Sequence, residues 1–181
     1  LFYGDGLSTL LENSCKYVKM NKKAIIFSYT VSNPSNYGVV KLNKNKIINI
    51  KEKPKKFFSD LAITGLYFFD NNVVKYAKKL KPSKRGELEI TDLNQIYLQN
   101  SLLNVEVLGR GVAWLDTGNF DALLEACTFI RTLEKRQGLK ISCPEEIAWR
   151  NGWITNDEML KLAFNLKKSG YGQYLENLLD E

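Results

Sequence analysis

The stretch Ala62–Phe69, AITGLYFF, constrains the fold more than any other part of this 181-residue chain. It is strand-sized, and its apolar side chains fall on both parities, so the strand it forms has no face suited to water. A strand buried on both faces belongs to a sheet carrying helices on each side. Ala24–Val31, rich in Ile, Phe, Tyr and Val, is a second such strand. Tyr37–Leu42 and Lys46–Lys51 read as a hairpin turning at NKNK, with further short strands at Val105–Leu108 and AWL.

Between the strands the period changes. Leu7, Leu10, Leu11, Cys15 and Val18 recur at three- and four-residue steps, which predicts a helix over 7–20. Further helices are predicted after an Asp70 cap and over Glu87–Asn100, the latter with Leu88, Thr91, Ile96 and Leu98 inward. A helix capped by Asn119 lines up Phe120, Leu123, Leu124, Cys127 and Ile130 as one apolar stripe. After Gly138 only helices are expected. One opens at Pro144, one at a Thr155/Glu158 capping box, and a short one follows from Gly170. The expected class is α/β, with alternating strands and helices over 1–138 and a helical appendage over 139–181. Leu1 is not a methionine, and LFYGDG reads as a strand running into a turn, so the chain is expected to be the later part of a longer protein.

Composition narrows the chemistry. There is no histidine, which excludes histidine triads, bases and metal ligands within the chain. The three cysteines, Cys15, Cys127 and Cys143, are odd in number and far apart, so reduced thiols in a cytoplasmic protein are expected. Any metal must then be a hard, oxygen-bound ion. No apolar run reaches the roughly 18–20 residues of a membrane span, and no membrane association is expected. Lys41–Arg85 holds 13 of the 26 basic residues against only Glu52, Asp60 and Asp70. That imbalance suits a phosphorylated small molecule or a nucleic acid. No nucleic-acid-binding motif accompanies it, so nucleic acid is not the expected partner.

Read locally, the polar candidates have ordinary alternatives. Asp116, before Thr-Gly, suits a turn as well as a metal. Glu52 and Lys53 suit an exposed edge strand. They can serve one ligand only if Pro54 or a bulge bends the chain, because neighbouring strand residues point to opposite faces. Arg85, with Lys84 as its neighbour and competitor, suits a solvated loop as well as a phosphate. Gly38 and Gly65 can admit a ligand or simply make turns. Glu146 and Arg150 are spaced for a helix salt bridge.

Taken together, FYGDGL (2–7), YGVV with KEKP (37–54), ITGLYFFD with KPSKRGELEITD (63–92) and GRGVAWLDTG (109–118) resemble the sugar nucleotidyltransferases. RQGLKISCPEEIAWR (136–150) is similar to the branch that transfers thymidylyl groups to glucose 1-phosphate. The resemblance implies a Rossmann-like mixed sheet flanked by helices, incomplete here because the amino-terminal nucleotide-binding part is missing. It implies conversion of dTTP and glucose 1-phosphate to dTDP-glucose and pyrophosphate with Mg²⁺, feeding dTDP-rhamnose and lipopolysaccharide synthesis. The chain alone is expected to be inactive.

The resemblance also implies roles for residues. Lys53, Arg85 and Asp116 are catalytic, with Asp116 holding the metal beside an aspartate upstream of Leu1. Tyr37, Gly38, Glu52, Lys53, Ile63, Gly65 and Arg85 bind the sugar phosphate. Tyr3, Gly4, Arg110, Glu146, Ile147 and Arg150 form a regulatory site for dTDP-sugars. Partners are further copies, as a homotetramer, or a separate amino-terminal portion. A non-catalytic sugar-nucleotide-binding or regulatory module, or transfer of another nucleotide to a sugar 1-phosphate, stays open.

Overall fold

The computed structural model describes residues 1–180. The chain divides into two compact units, Leu1–Asp116 and the residues from Thr117 onward. The first contains β1 (Phe2–Gly4), α1 (Leu7–Asn21), β2 (Ala24–Thr30), β3 (Gly38–Asn43), β4 (Lys46–Glu52), β5 (Leu61–Phe68), α2 (Asn72–Ala77), α3 (Ile90–Gln99), β6 (Leu103–Val107) and β7 (Val112–Trp114).

Five strands form a mixed sheet in the order β4-β3-β5-β2-β6, in which β2 and β6 run parallel and the other pairs antiparallel. The β3–β4 hairpin turns on Lys44 and Asn45, both at positive φ, as a two-residue turn matching the strand twist requires. Strands β1 and β7 form a separate ribbon with Gly4 opposite Val112. A side chain on Gly4 would come within 2.8 Å of the Gly111 carbonyl, so the two strands approach only because Gly4 has none.

Both sheet faces are covered, as the apolar strands demand. Ile25, Phe27, Leu66 and Phe68 pack with Val18, Leu10 and Leu11 of α1. On the other face Ile26, Val40, Ile50 and Ile63 pack with Leu98 of α3, while Leu93 and Tyr97 cover Ala24. The expected mixed α/β sheet with flanking helices is therefore present.

One expectation fails in detail. Helix α3 starts at Ile90, not Glu87, and buries Thr91, Leu93, Asn94 and Tyr97, while Leu88 is 60% exposed. The residues ahead of it are held as a loop. Ser83 N–H donates to the Glu87 carbonyl, and the Ser83 hydroxyl donates to Glu89.

The second unit contains α4 (Phe120–Gln137), α5 (Pro144–Arg150), α6 (Asn156–Asn165) and α7 (Gly170–Asn177). Cys143, Met159, Ala163, Leu175 and Leu178 form its core. The capping box at Thr155 and Glu158 is complete. Helix α4 departs from expectation: only Ala126 is buried, and Phe120, Leu123, Leu124 and Cys127 of the predicted stripe are exposed. The period that makes a helix amphipathic does not itself supply a surface to cover it. No helix among the described residues is long and apolar enough to cross a membrane.

Candidate active site

Strand ends and one helix start converge on a pocket of about 240 Å³, lined by Asn36, Tyr37, Gly38, Glu52, Ile63, Gly65, Tyr67, Ile90, Thr91, Trp114 and Asp116. Glu52 is the last residue of β4 and lies opposite Gly38, the first residue of β3. Thr91, in the first turn of α3, donates a short hydrogen bond from its hydroxyl to Glu52 Oε2. A Cβ on Gly38 would lie 3.0 Å from that oxygen and 3.1 Å from Thr91 Oγ1. A glycine is thus what keeps the carboxylate–hydroxyl pair open to the pocket.

The chain leaves strand geometry just after Glu52. Lys53 sits at φ 37°, outside strand geometry, with its N–H donating to the Tyr37 carbonyl at 3.0 Å. The left-handed residue at the end of β4 breaks the alternation that would otherwise send the two side chains to opposite faces.

An aromatic wall completes the pocket. The Trp114 ring lies 5.1 Å from Tyr37 and 6.0 Å from Tyr29. Burial, then the charge of Asp116, raises the Tyr37 phenol above its ordinary range. Burial, then the charge of Glu52, pushes Tyr67 up to about 12. Both phenols therefore stay protonated near neutral pH and can donate to a ligand oxygen.

The predicted residues divide. Tyr37, Gly38, Glu52, Ile63, Gly65 and Asp116 line one pocket. Lys53 follows Glu52 without lining it. Arg85 stands on the loop before α3 and donates to Glu87 Oε2 at 2.7 Å and to Glu89 at 3.1 Å, so its fork is engaged by carboxylates. The Ser83 hydroxyl, then Arg85, holds the Glu89 carboxyl below its usual range.

In the remaining set, Tyr3 and Gly4 are on β1, and Arg110 follows β6. Glu146, Ile147 and Arg150 are on α5. Arg150 Nε donates to Glu146 Oε1 at 2.8 Å, and the Tyr174 hydroxyl donates to the other oxygen, Oε2.

Asn36, Tyr67, Ile90, Thr91 and Trp114 line the pocket without having been singled out from the sequence. The one available signal was that Tyr67, Ile90, Thr91 and Trp114 fall within the quoted motifs; Asn36 does not. No group of three or more acidic, histidine or cysteine side chains among the described residues is arranged for a metal. Asp116 nevertheless suits a hard cation that takes one or two carboxylates and completes its shell with phosphate oxygens and water.

A polar pocket with one carboxylate free to accept hydroxyls and a second suited to a hard cation fits enzymes that join sugars to nucleotides. The family model for nucleotidyl transferases matches residues 1–132, and the chain belongs to that family. It is 52% identical over 181 residues to the glucose-1-phosphate thymidylyltransferase of Mycobacterium tuberculosis (strain CDC 1551 / Oshkosh), covering 99% of this chain and 62% of the relative. It is 48% identical over 180 residues to the enzyme of that name from Neisseria meningitidis, again covering 99% and 62%. The chain thus spans under two thirds of the length of these curated relatives. A Bacillus anthracis structure named for the same activity, solved with sucrose, superposes with a TM-score of 0.61 at 36% identity, over 71% of this chain and 50% of that one. An apo UDP-glucose pyrophosphorylase shares the fold, with a TM-score of 0.58 at 22% identity, over 75% of this chain and 52% of that one.

Proposed function

We propose that this chain supplies the sugar-phosphate pocket and one metal ligand of a glucose-1-phosphate thymidylyltransferase. One observation carries the reading: four separate stretches bring Tyr37, Gly38, Glu52, Ile63, Gly65 and Asp116 to a single concavity. Glu52 accepts from sugar hydroxyls, and the Tyr37 and Trp114 rings flank the pyranose. Lys53 takes the phosphate as a point charge. Arg85 grips it as a fork, exchanging Glu87 for phosphate oxygens.

Asp116 is the ligand for Mg²⁺, which when bound supplies charge neutralisation between the two phosphate groups. The sugar phosphate oxygen, ionised near neutral pH, forms the new bond to the α-phosphorus of dTTP. The bond to the bridging oxygen breaks, and pyrophosphate leaves with its electron pair. No proton has to be removed, so a pocket without histidine is adequate. Catalysis then rests on positioning and charge complementarity.

The second carboxylate for the metal and the groups that read thymine are assigned to protein outside this chain, so the 181 residues alone turn over no dTTP. Product as dTDP-glucose, use in dTDP-rhamnose and lipopolysaccharide synthesis, a cytoplasmic setting and a homotetramer belong to the same proposal. So do a dTDP-sugar site at Tyr3, Gly4, Arg110, Glu146, Ile147 and Arg150, and the assignment of 1–138 as the sugar-phosphate-binding and metal-binding part of a nucleotidyltransferase domain and of 139–181 as a helical appendage.

Titration calorimetry with glucose 1-phosphate, glucose and inorganic phosphate tests the pocket. Glucose 1-phosphate is expected to bind more tightly than either fragment, and Mg²⁺ to strengthen binding in the parent chain but not in Asp116→Asn. Absence of glucose 1-phosphate binding overturns the reading. Pyrophosphate release by the chain alone overturns the assignment of essential groups to protein outside it.

A further inference from the structure

The Glu52–Thr91 pair joins a strand to a helix, and nothing local to either residue fixes their separation. A second contact does so, one turn further along α3 and two residues earlier on β4. Gln95 Nε2 donates to the Ile50 carbonyl at 2.6 Å and to Asn49 Oδ1 at 3.1 Å. Asn49 Oδ1 also accepts from Ile50 N–H at 2.8 Å, so the acceptor is itself anchored to β4.

The spacings match. Thr91 and Gln95 are four residues apart on one helix face, about 6 Å along the axis. Ile50 and Glu52 are two residues apart on a strand, about 6.7 Å. Two nearly equal rulers are therefore pinned at one end by the Gln95 amide and at the other by the Thr91 hydroxyl. The far end of α3 is held elsewhere, by the Tyr97 hydroxyl on Asp70, but between α3 and β4 the remaining contacts, such as Ile50 with Leu98, are apolar and non-directional. A slide of one turn would carry Thr91 about 5.4 Å from its partner.

We propose that Gln95 is a positioning residue for sugar-hydroxyl recognition. By registering α3 on β4 it holds Thr91 against Glu52, and it does so without touching the ligand. The proposal rests on the sugar-phosphate reading of the pocket and adds to it a group outside the pocket lining.

The test is a double-mutant cycle with Gln95→Met, which keeps length and loses both donated bonds, and Thr91→Val. Affinities for glucose 1-phosphate and for inorganic phosphate are measured by calorimetry, and backbone amide exchange at Thr91–Leu93 is measured without ligand. Gln95→Met is expected to weaken glucose 1-phosphate roughly fivefold, leave inorganic phosphate unchanged and speed exchange in the first turn of α3. In the Thr91→Val background it is expected to cost nothing further, because it acts through Thr91. A full additional loss in that background, an equal loss for inorganic phosphate, or no loss overturns the proposal. If the parent chain binds neither ligand, the sugar-phosphate reading falls and this role in recognition falls with it. Unchanged exchange in Gln95→Met shows separately that Gln95 does not hold the helix.

Discussion

Glu52 in the first unit and Glu146 in the second are both half-buried carboxylates that accept a hydrogen bond from a hydroxyl, and they are committed differently. Glu146 uses one oxygen for Arg150 and the other for Tyr174, all on helices of its own unit. Glu52 has one hydrogen-bond donor among the described residues, Thr91, on Oε2, and lines a concavity. A carboxylate bonded through both oxygens is held in a fixed orientation by the fold it belongs to, with fewer lone pairs left for any ligand it meets. One with an oxygen to spare at a pocket wall can still accept from a ligand. The difference separates two groups that sequence alone places on equal footing.

The sharpest way to break the comparison is to neutralise each acid in turn. Glu52→Gln removes a charged acceptor and is expected to weaken glucose 1-phosphate by roughly tenfold to a hundredfold. Glu146→Gln is expected to leave that affinity unchanged. Calorimetry on both variants decides, and an equal loss for Glu146→Gln would erase the distinction.

Stability should show the reverse order. Tyr174→Phe removes one of the two donors to Glu146 and is expected to cost about 1 kcal/mol in urea unfolding of the chain. Glu52→Gln keeps the acceptor for Thr91 and is expected to change stability by less than about 0.5 kcal/mol. A larger loss for Glu52→Gln would mean that the pocket carboxylate is chiefly structural.

What the sequence makes legible and what it leaves ambiguous follows from the range of its signals. Apolar runs at 24–31 and 62–69 and the capping box at Thr155 and Glu158 report their own neighbourhoods, and the structure contains those elements. Leu88 was misplaced because Ser83 and Arg85 hold the residues before α3 in a loop, a pull that periodicity does not register. The stripe of α4 was read correctly as a pattern, yet burial depends on what lies opposite, and Phe120 is 91% exposed. Within the pocket, Glu52 and Asp116 stood out as motif acids. Thr91 and Tyr67 look like ordinary helix and strand residues until β4, β5 and α3 meet. The left-handed turn at Lys53 was foreseen only as a requirement, since lysine has no preference for positive φ.

The smallest expected effect compares the phenols beside the two acids. Tyr67 and Tyr174 are each pushed up to about 12, first by burial and then by Glu52 and Glu146 respectively. A phenol whose folded pKa lies above its unfolded value near 10 binds its proton more tightly when folded. The stability it contributes is full below pH 10 and is lost as pH rises through about 12. Alkaline titration of tyrosinate absorbance, compared with Tyr67→Phe and Tyr174→Phe, resolves the two steps. Glu146 acts on Tyr174 through a direct hydrogen bond, whereas Glu52 acts on Tyr67 only through charge. Glu146→Gln should therefore lower its phenol more than Glu52→Gln lowers the other, with burial keeping both above 10. The opposite order would mean that Glu52 is bonded to Tyr67, and the spare oxygen on which the pocket depends would already be taken.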